Sequence, residues 1–244
     1  MNTLSDERLF VKKAHKTQLK MARHIILEDK LPKKIHLIGG VDVAYFGDLS
    51  IGAVVVLNKT DLESRESQIA ICKTHAPYIP TLLSFREISP MIRAIRKLEI
   101  QPDLFLVDGQ GFAHPYHCGL ASHLGIIIGK PTIGVAKKKL CGQLENAKPK
   151  TNVAFLKDEN EIIGAAVTIE KKKKPIYISS GHMVSLETAI KIVKQCTKNN
   201  RIPEPLRRAH EVATVEKHRI EILSRIDKKT ANTKTASSAS LKPP

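Results

Sequence analysis

Residues 104–125 read LFLVDGQGFAHPYHCGLASHLG, four consecutive apolar residues that run straight into an acid. A short apolar run bounded by QPD before it and glycines after it fits a strand buried on both faces. Asp108 ends that strand, and Gly109 and Gly111 let backbone come close to a substrate. A second apolar run, within YHCGLASHLGIIIG, starts a helix. In open α/β sheets the carboxyl ends of strands face the ligand crevice, so Asp108 stands where chemistry is expected. The bland reading of Asp108-Gly109 is a turn, but a helix follows where a two-residue hairpin would need a strand. The GxGxxG pattern of a dinucleotide site is absent.

Working outward, residues 3–29 mix charges with Leu, Val, Met and Ile at helical spacing and predict one amphipathic helix, broken by LPKK. HLIGGVDVAYF (36–46), IGAVVVLN (51–58) and SQIAICKTHA (67–76) predict three strands whose short connections imply an antiparallel meander. Phe85, Ile88, Ile92, Ile95 and Leu98 mark the apolar stripe of a helix after PYIPTLLSFRE. Downstream, KPTIGVAKK, EIIGAAVTIE (161–170) and PIYISS (175–180) predict strands, and Lys171 to Lys174 an exposed hairpin tip. SLETAIKIVKQCTK (185–198) and PEPLRRAHEVATVEKHRIEIL (203–223) predict helices, the first capped by Ser185 and the second opened by Pro203. Three strands followed by alternating helices and strands predict an α/β fold: a mixed sheet with helices on its faces. One domain is expected over residues 1–227. Residues 228–244, polar and low in apolar content, predict a disordered tail.

Lys and Arg number 40 against 24 Asp and Glu, a formal net charge of +16. Such an excess attracts polyanions, nucleic acid first among them. Without Trp and with 4% aromatic residues, any base stacking falls to a few Tyr, Phe or His side chains. The four cysteines form no CxxC pair, which leaves zinc and redox motifs unsupported. No apolar run reaches the roughly 18 residues of a membrane span, and the N-terminal stretch lacks a signal-peptide core. No membrane partner and a cytoplasmic, reducing location are the default expectations.

Within this frame three acids stand out. Asp42 sits in Gly39-Gly40-Val41-Asp42-Val43-Ala44, inside a strand, where a carboxylate must be hydrogen-bonded, paired or metal-bound. Asp108 ends the next strong strand. Glu87 completes Ser84-Phe85-Arg86-Glu87, the S-x-x-E capping box; it also borders the apolar stripe between Leu83 and Met91, from which it can point inward. Three acids on two strands and a helix start offer oxygen ligands to a hard cation such as Mg²⁺, which takes one or two carboxylates with water and phosphate oxygens. Beside the cationic surplus, they point to metal-assisted phosphodiester hydrolysis.

The blocks IGGVDVAYF, PYIPTLLSFRE, LFLVDGQGFAHP, GLASHLGIIIGKPTIGVAK, ISSGHMVSLETA and RIPEPLRRAH, spanning about residues 36–215 in order, resemble the endonuclease V family of deoxyinosine-specific endonucleases. The resemblance implies a ribonuclease H-like fold and a divalent-metal nuclease, with Mg²⁺ as cofactor and Mn²⁺ as an alternative. It implies cleavage of the second phosphodiester bond 3′ to inosine, leaving a 3′-hydroxyl, a 5′-phosphate and the damaged base in place. Asp42 and Asp108 match the family's metal-binding aspartates, and Glu87 its catalytic glutamate, which binds a second metal or positions water. His210, in RRAH, falls where the family has a fourth active-site residue, and Lys137, in GVAK, resembles its active-site lysine. Tyr78, in PYIP, resembles the wedge that fills the space left by an extruded base. Gly111 and His114 match the loop around that base, with backbone amides near Gly111 reading the hypoxanthine edge.

Two features depart from the pattern: Tyr116 and His117 follow the HP step where basic residues are common, and the lysine run and the tail lie outside it. Inosine-containing DNA is the expected partner and a monomer the expected state. An inosine-specific endoribonuclease acting on RNA is the alternative within nucleases, and a noncatalytic basic nucleic-acid-binding protein the alternative outside them.

Overall fold

The computed structural model describes residues 3–145, 152–169, 174–198 and 200–239. In chain order these form helix α1 (Thr3–Ala22), strands β1 (Leu37–Phe46), β2 (Leu49–Asn58) and β3 (Ser64–Lys73), a 3₁₀ turn (Pro80–Leu82) and helix α2 (Leu83–Ile95). Strand β4 (Leu104–Asp108), helix α3 (Leu120–Ile128) and strand β5 (Thr132–Ala136) follow. Strands β6 (Gln143–Leu144), β7 (Val153–Asp158), β8 (Glu161–Val167) and β9 (Ile176–His182) precede helices α4 (Leu186–Gln195) and α5 (Glu204–Ala239).

The strands make one mixed sheet in the order β3-β2-β1-β4-β5-β9-β8-β7-β6. The expected meander is present: β1 pairs antiparallel with β2, turned at Gly47 with its positive φ of 57°, and β2 pairs antiparallel with β3. Strand β4 runs parallel to β1 on one side and to β5 on the other. Side chains alternate along β4 and divide the core in two. Leu104 and Leu106 pack with Ile192, Val193 and Leu206 under α4 and α5. Phe105 and Val107 pack with Met91, Ala94 and Leu124 under α2 and α3. Helices therefore cover both faces, as the strand and helix order predicts. Among the described residues no helix is long and apolar enough to cross a membrane.

Four local expectations are corrected. Helix α1 stops at Ala22 rather than residue 29, because the following backbone joins the end of β9: Ile26 N donates to His182 Nδ1 and Met183 N to Ile26 O. Strand β7, within NVAFLKD, has no counterpart in the sequence reading; its side chains are mostly half-buried and give no clean alternation. Helix α5 continues to Ala239, past the end expected at residue 223. No glycine or proline stands in its way between residues 206 and 239. Ser84 does not cap α2: the cap position is Leu82, and Glu87 points inward. The Ser185 cap of α4 does form, its Oγ accepting from Thr188 N at 3.3 Å. Lys171 to Lys173 of the expected hairpin tip, and residues 240–244, lie outside the described residues; Lys174 is exposed.

Candidate active site

The parallel register sets Val41 opposite Val107, so the next residues, Asp42 inside β1 and Asp108 at the end of β4, lie side by side. Both belong to the alternation that faces α5. The helix can start hard against β1 because residue 40 is glycine: a Cβ there would lie 2.0 Å from the Pro205 carbonyl oxygen. That close approach brings His210, on the second turn of α5, to Asp42, with Nδ1 2.7 Å from Oδ2. Val43 N also donates to Asp42 Oδ1, at 2.8 Å. Asp42 is buried. Burial first, and the Asp108 charge second, raise its pKa above the usual carboxylate range against the pull of the His210 hydrogen bond.

Asp108 meets Lys137, the first residue past β5, with Nζ 2.5 Å from Oδ2. Burial works against the Lys137 ammonium, but the Asp108 carboxylate outweighs it and holds the pKa above the ordinary lysine value. Arg201 fixes the backbone here, donating to Lys137 O at 2.7 Å and to Pro175 O at 2.6 Å.

Glu87 comes from the opposite face, from the first turns of α2. Tyr45 Oη donates to its Oε1 at 2.8 Å, and Arg86 lies 4.5 Å from the Tyr45 ring centre. Burial, aided by the charges of Asp42 and Asp108, pushes the Glu87 carboxyl up to about 8 although the Tyr45 hydrogen bond opposes the rise. Three carboxyl groups from two faces thus sense one another at one end of the sheet. Among the described residues no three His, Cys, Asp or Glu side chains cluster closely enough to hold a metal ion as they stand. A closed cage is not what Mg²⁺ needs: an all-oxygen pair of carboxylates that repel each other fits a hard cation completed by water and phosphate oxygens.

Of the three acids, Asp108 opens onto a cavity of about 440 Å³ that Tyr78, Gln110, His114 and Lys137 also line, with Gln18 of α1 at its wall. Tyr78 is 68% exposed at the rim, just before the 3₁₀ turn. His114 is buried; its Nε2 lies 3.0 Å from Thr81 O and its Nδ1 accepts from Tyr116 N at 3.1 Å. Those partners fix the tautomer with hydrogen on Nε2. Burial lowers the His114 pKa to about 4, so the ring is neutral near pH 7. Gly111 stands behind the wall rather than on it. Its amide donates to Ser179 Oγ at 2.9 Å, and a Cβ would lie 2.2 Å from the Ser180 carbonyl oxygen. The amide expected to read a base edge already has a partner. A larger cavity of about 990 Å³, lined by Leu27, Phe112, Phe155, Ile163 and Ile190 among others, contains none of the predicted site residues. The smaller one holds Asp108 and Lys137.

Tyr45, Gln18, Gln110 and Arg201 were not singled out from the sequence. Gln18 alone left a trace there: with Ala14 it falls on the buried face of α1, a polar residue at an apolar position.

A family model for endonuclease V matches residues 19–211. Endonuclease V of Thermofilum pendens is 42% identical over 209 residues, covering 85% of this chain and 89% of that protein. The crystal structure of the Streptomyces avermitilis endonuclease V aligns with a TM-score of 0.80 at 34% identity, covering 86% of this chain and 94% of that one. Ciona intestinalis endonuclease V, in complex with a 23mer DNA containing an inosine followed by a ribo-adenosine, aligns with a TM-score of 0.78 at 33% identity, covering 86% and 98%. The mixed sheet and its two helical layers are the ribonuclease H-like arrangement of these structures.

Proposed function

This chain belongs to the endonuclease V family, and from that premise we propose that it is a metal-dependent repair endonuclease acting on deoxyinosine in DNA. It hydrolyses the second phosphodiester bond 3′ to the lesion, leaving a 3′-hydroxyl and a 5′-phosphate. One observation carries the reading: Asp42 and Asp108 sit side by side on adjacent parallel strands, and Asp108 with its partner Lys137 lines a cavity large enough for a base.

In this proposal Tyr78 fills the gap left by the extruded base, and the prolines on either side of Tyr78-Ile79 stiffen the loop for that task. Extrusion is easiest for poorly paired bases, which favours inosine sites. His114, neutral and held by Thr81 and Tyr116, shapes the cavity floor. Gly111 contributes by its lack of a side chain rather than by its amide, since it lets the loop lie against Ser180. Asp42 and Asp108 hold Mg²⁺, with Glu87 as a further ligand or the group that positions the attacking water; Mn²⁺ is the alternative ion. When bound, the metal polarises the phosphate and favours ionisation of a water. His210 orients Asp42 through the hydrogen bond to Oδ2. Lys137 stabilises the negative charge that develops on the phosphate as the 3′ oxygen departs. A monomer is the proposed working state. The lysine run at 171–174 and the C-terminal segment add cationic charge for nonspecific binding.

The test is a labelled duplex with one deoxyinosine, beside the same duplex without it, incubated with Mg²⁺ and mapped to the nucleotide. A nick at the second bond 3′ to inosine, abolished by EDTA, is expected. Inosine-independent gel shifts with no nick in DNA or RNA would leave a noncatalytic binder. The RNA reading has one specific support: the Ciona relative is bound to a strand whose inosine is followed by a ribo-adenosine. An RNA copy of the substrate decides between the two, because an RNA enzyme must accommodate or contact the 2′-hydroxyl.

A further inference from the structure

Four buried side-chain oxygens among the described residues have no hydrogen-bond partner, and three of them belong to residues lining the cavity beside Asp108: Gln18, Ser84 and Gln110. Buried polar atoms in folded proteins are nearly always paired. Their concentration around one hollow marks a place built for a polar guest. Of the three, Gln18 is the one whose orientation is determined. Its Nε2 lies 2.9 Å from Thr81 O and 3.1 Å from Cys118 O, two carbonyl acceptors that only the amide nitrogen can satisfy. Both amide hydrogens are used there. The contact at 3.5 Å between Gln18 Nε2 and His114 Nε2 joins two donors that share Thr81 O, and is not itself a hydrogen bond. Oε1 is therefore turned away from both carbonyls, fully buried and unpartnered. Gln110 is less constrained, since its Nε2 has one partner, Lys138 O at 3.0 Å.

The two carbonyls belong to different segments of the chain. Thr81 lies in the 3₁₀ turn that follows Tyr78, and Cys118 in the loop that leads from His114 into α3. Gln18 thus ties the wedge loop to the pocket loop and holds an acceptor at the seam. Deamination of adenine replaces the N1 lone pair and the amino group by an N1–H donor and a carbonyl. A fixed acceptor welcomes the first product and repels the lone pair of the parent base. We propose that Gln18 is a base-reading residue whose Oε1 accepts the N1–H of the extruded hypoxanthine. This rests on the reading of the cavity as the base pocket. The family match begins at residue 19, one position beyond Gln18, and assigns it nothing.

The test compares wild type with Gln18→Met and Gln18→Leu under single turnover. The substrates are duplexes carrying one deoxyinosine or one deoxynebularine, whose purine base keeps the ring shape but has an unprotonated N1. In the wild type inosine is preferred. In the Gln18 variants that preference falls at least about tenfold, as expected for one buried hydrogen bond. The loss is larger for inosine and appears as weaker half-saturation, while nebularine loses only what the broken tie between the two loops costs. Equal losses on both substrates would mean that Gln18 only ties two loops, and would overturn the proposal. If thermal melts show neither variant folded, Gln18→Asn, which draws the amide back by one methylene, takes their place; because nebularine also lacks the 6-carbonyl, the wild type alone can only overturn the proposal, by equal rates on the two bases. A wild type that nicks neither DNA nor RNA inosine substrates refutes the base-pocket reading itself. One that nicks inosine while the Gln18 variants keep its base preference refutes only the role of Gln18.

Discussion

The three acids and the wall of the cavity both bury polar groups, and they resolve that cost in opposite ways. At the acids the chain supplies the partners itself: His210 for Asp42, Lys137 for Asp108, Tyr45 for Glu87. What remains there is carboxyl groups that burial first, and the neighbouring acids second, make costly to ionise together, as the raised pKa values of Asp42 and Glu87 record. Deeper in the cavity wall the groups are neutral and the partners are missing instead, as the unpaired oxygens of Gln18, Ser84 and Gln110 record. One region calls for a cation, the other for a hydrogen-bonding base. The difference separates turnover from recognition, and substitutions in the two regions should fail differently.

The largest effect is expected at the aspartates. Asp42→Ala and Asp108→Ala should lower nicking by at least about a thousandfold while leaving binding to inosine DNA measurable in a gel shift without metal. Near-wild-type rates in both would remove the metal site from the account. Next comes Lys137→Met, expected to lower the single-turnover rate by roughly a hundredfold, the scale for losing one group that stabilises developing charge. Its base preference should not change, because Lys137 stands on the acid side of the comparison. A change in preference without a change in rate would place it with the wall.

Glu87 carries the pH dependence of the acid region. Its pKa is raised from 4.5 to about 8, chiefly by burial, so the folded protein holds this proton more tightly than the unfolded chain does. Its contribution to stability is therefore complete below about pH 4.5 and is lost as pH rises toward 8. Glu87→Gln keeps an acceptor for Tyr45 and removes the ionisation. In metal-free protein the variant should match wild type at pH 5 and exceed it at pH 8, by on the order of 2 kcal/mol. Thermal unfolding in EDTA at the two pH values measures this, and a gap that does not widen with pH contradicts it.

The sequence exposes these regions unequally. Asp42 and Asp108 are legible because a carboxylate among buried apolar strand residues demands a reason, and the strands themselves are long apolar runs. Glu87 is ambiguous from sequence, since S-x-x-E at a helix start fits a cap; the fold decides for the interior because Tyr45 waits there, 42 residues away. His210 is an ordinary helix histidine until the start of α5 against Gly40 brings it to Asp42. Lys137 is likewise one of three lysines at a strand end, and both depend on the family resemblance for their selection. Gln18 escapes because its partners, Thr81 and Cys118, lie 63 and 100 residues along the chain. Contacts of that range leave no local pattern. Strand β7 escapes for a different reason: half-buried on both sides, it lacks the alternation that marks a strand.

The smallest effect tests the wall at its exposed edge. Tyr78 is 68% exposed, so Tyr78→Ala should change stability by no more than about 0.5 kcal/mol. A wedge matters only where a base must be drawn out of a stack and its place filled. In duplex DNA, Tyr78→Ala should therefore slow inosine nicking by roughly fivefold to tenfold, whereas in a single strand, where no partner is displaced, it should have little effect. Gln18→Met, by contrast, should impair both substrates alike, since the base is read after it has left the stack. If Tyr78→Ala slows single-strand and duplex nicking equally, Tyr78 is a contact within the cavity rather than a wedge, and the exposed and buried parts of the wall perform the same task.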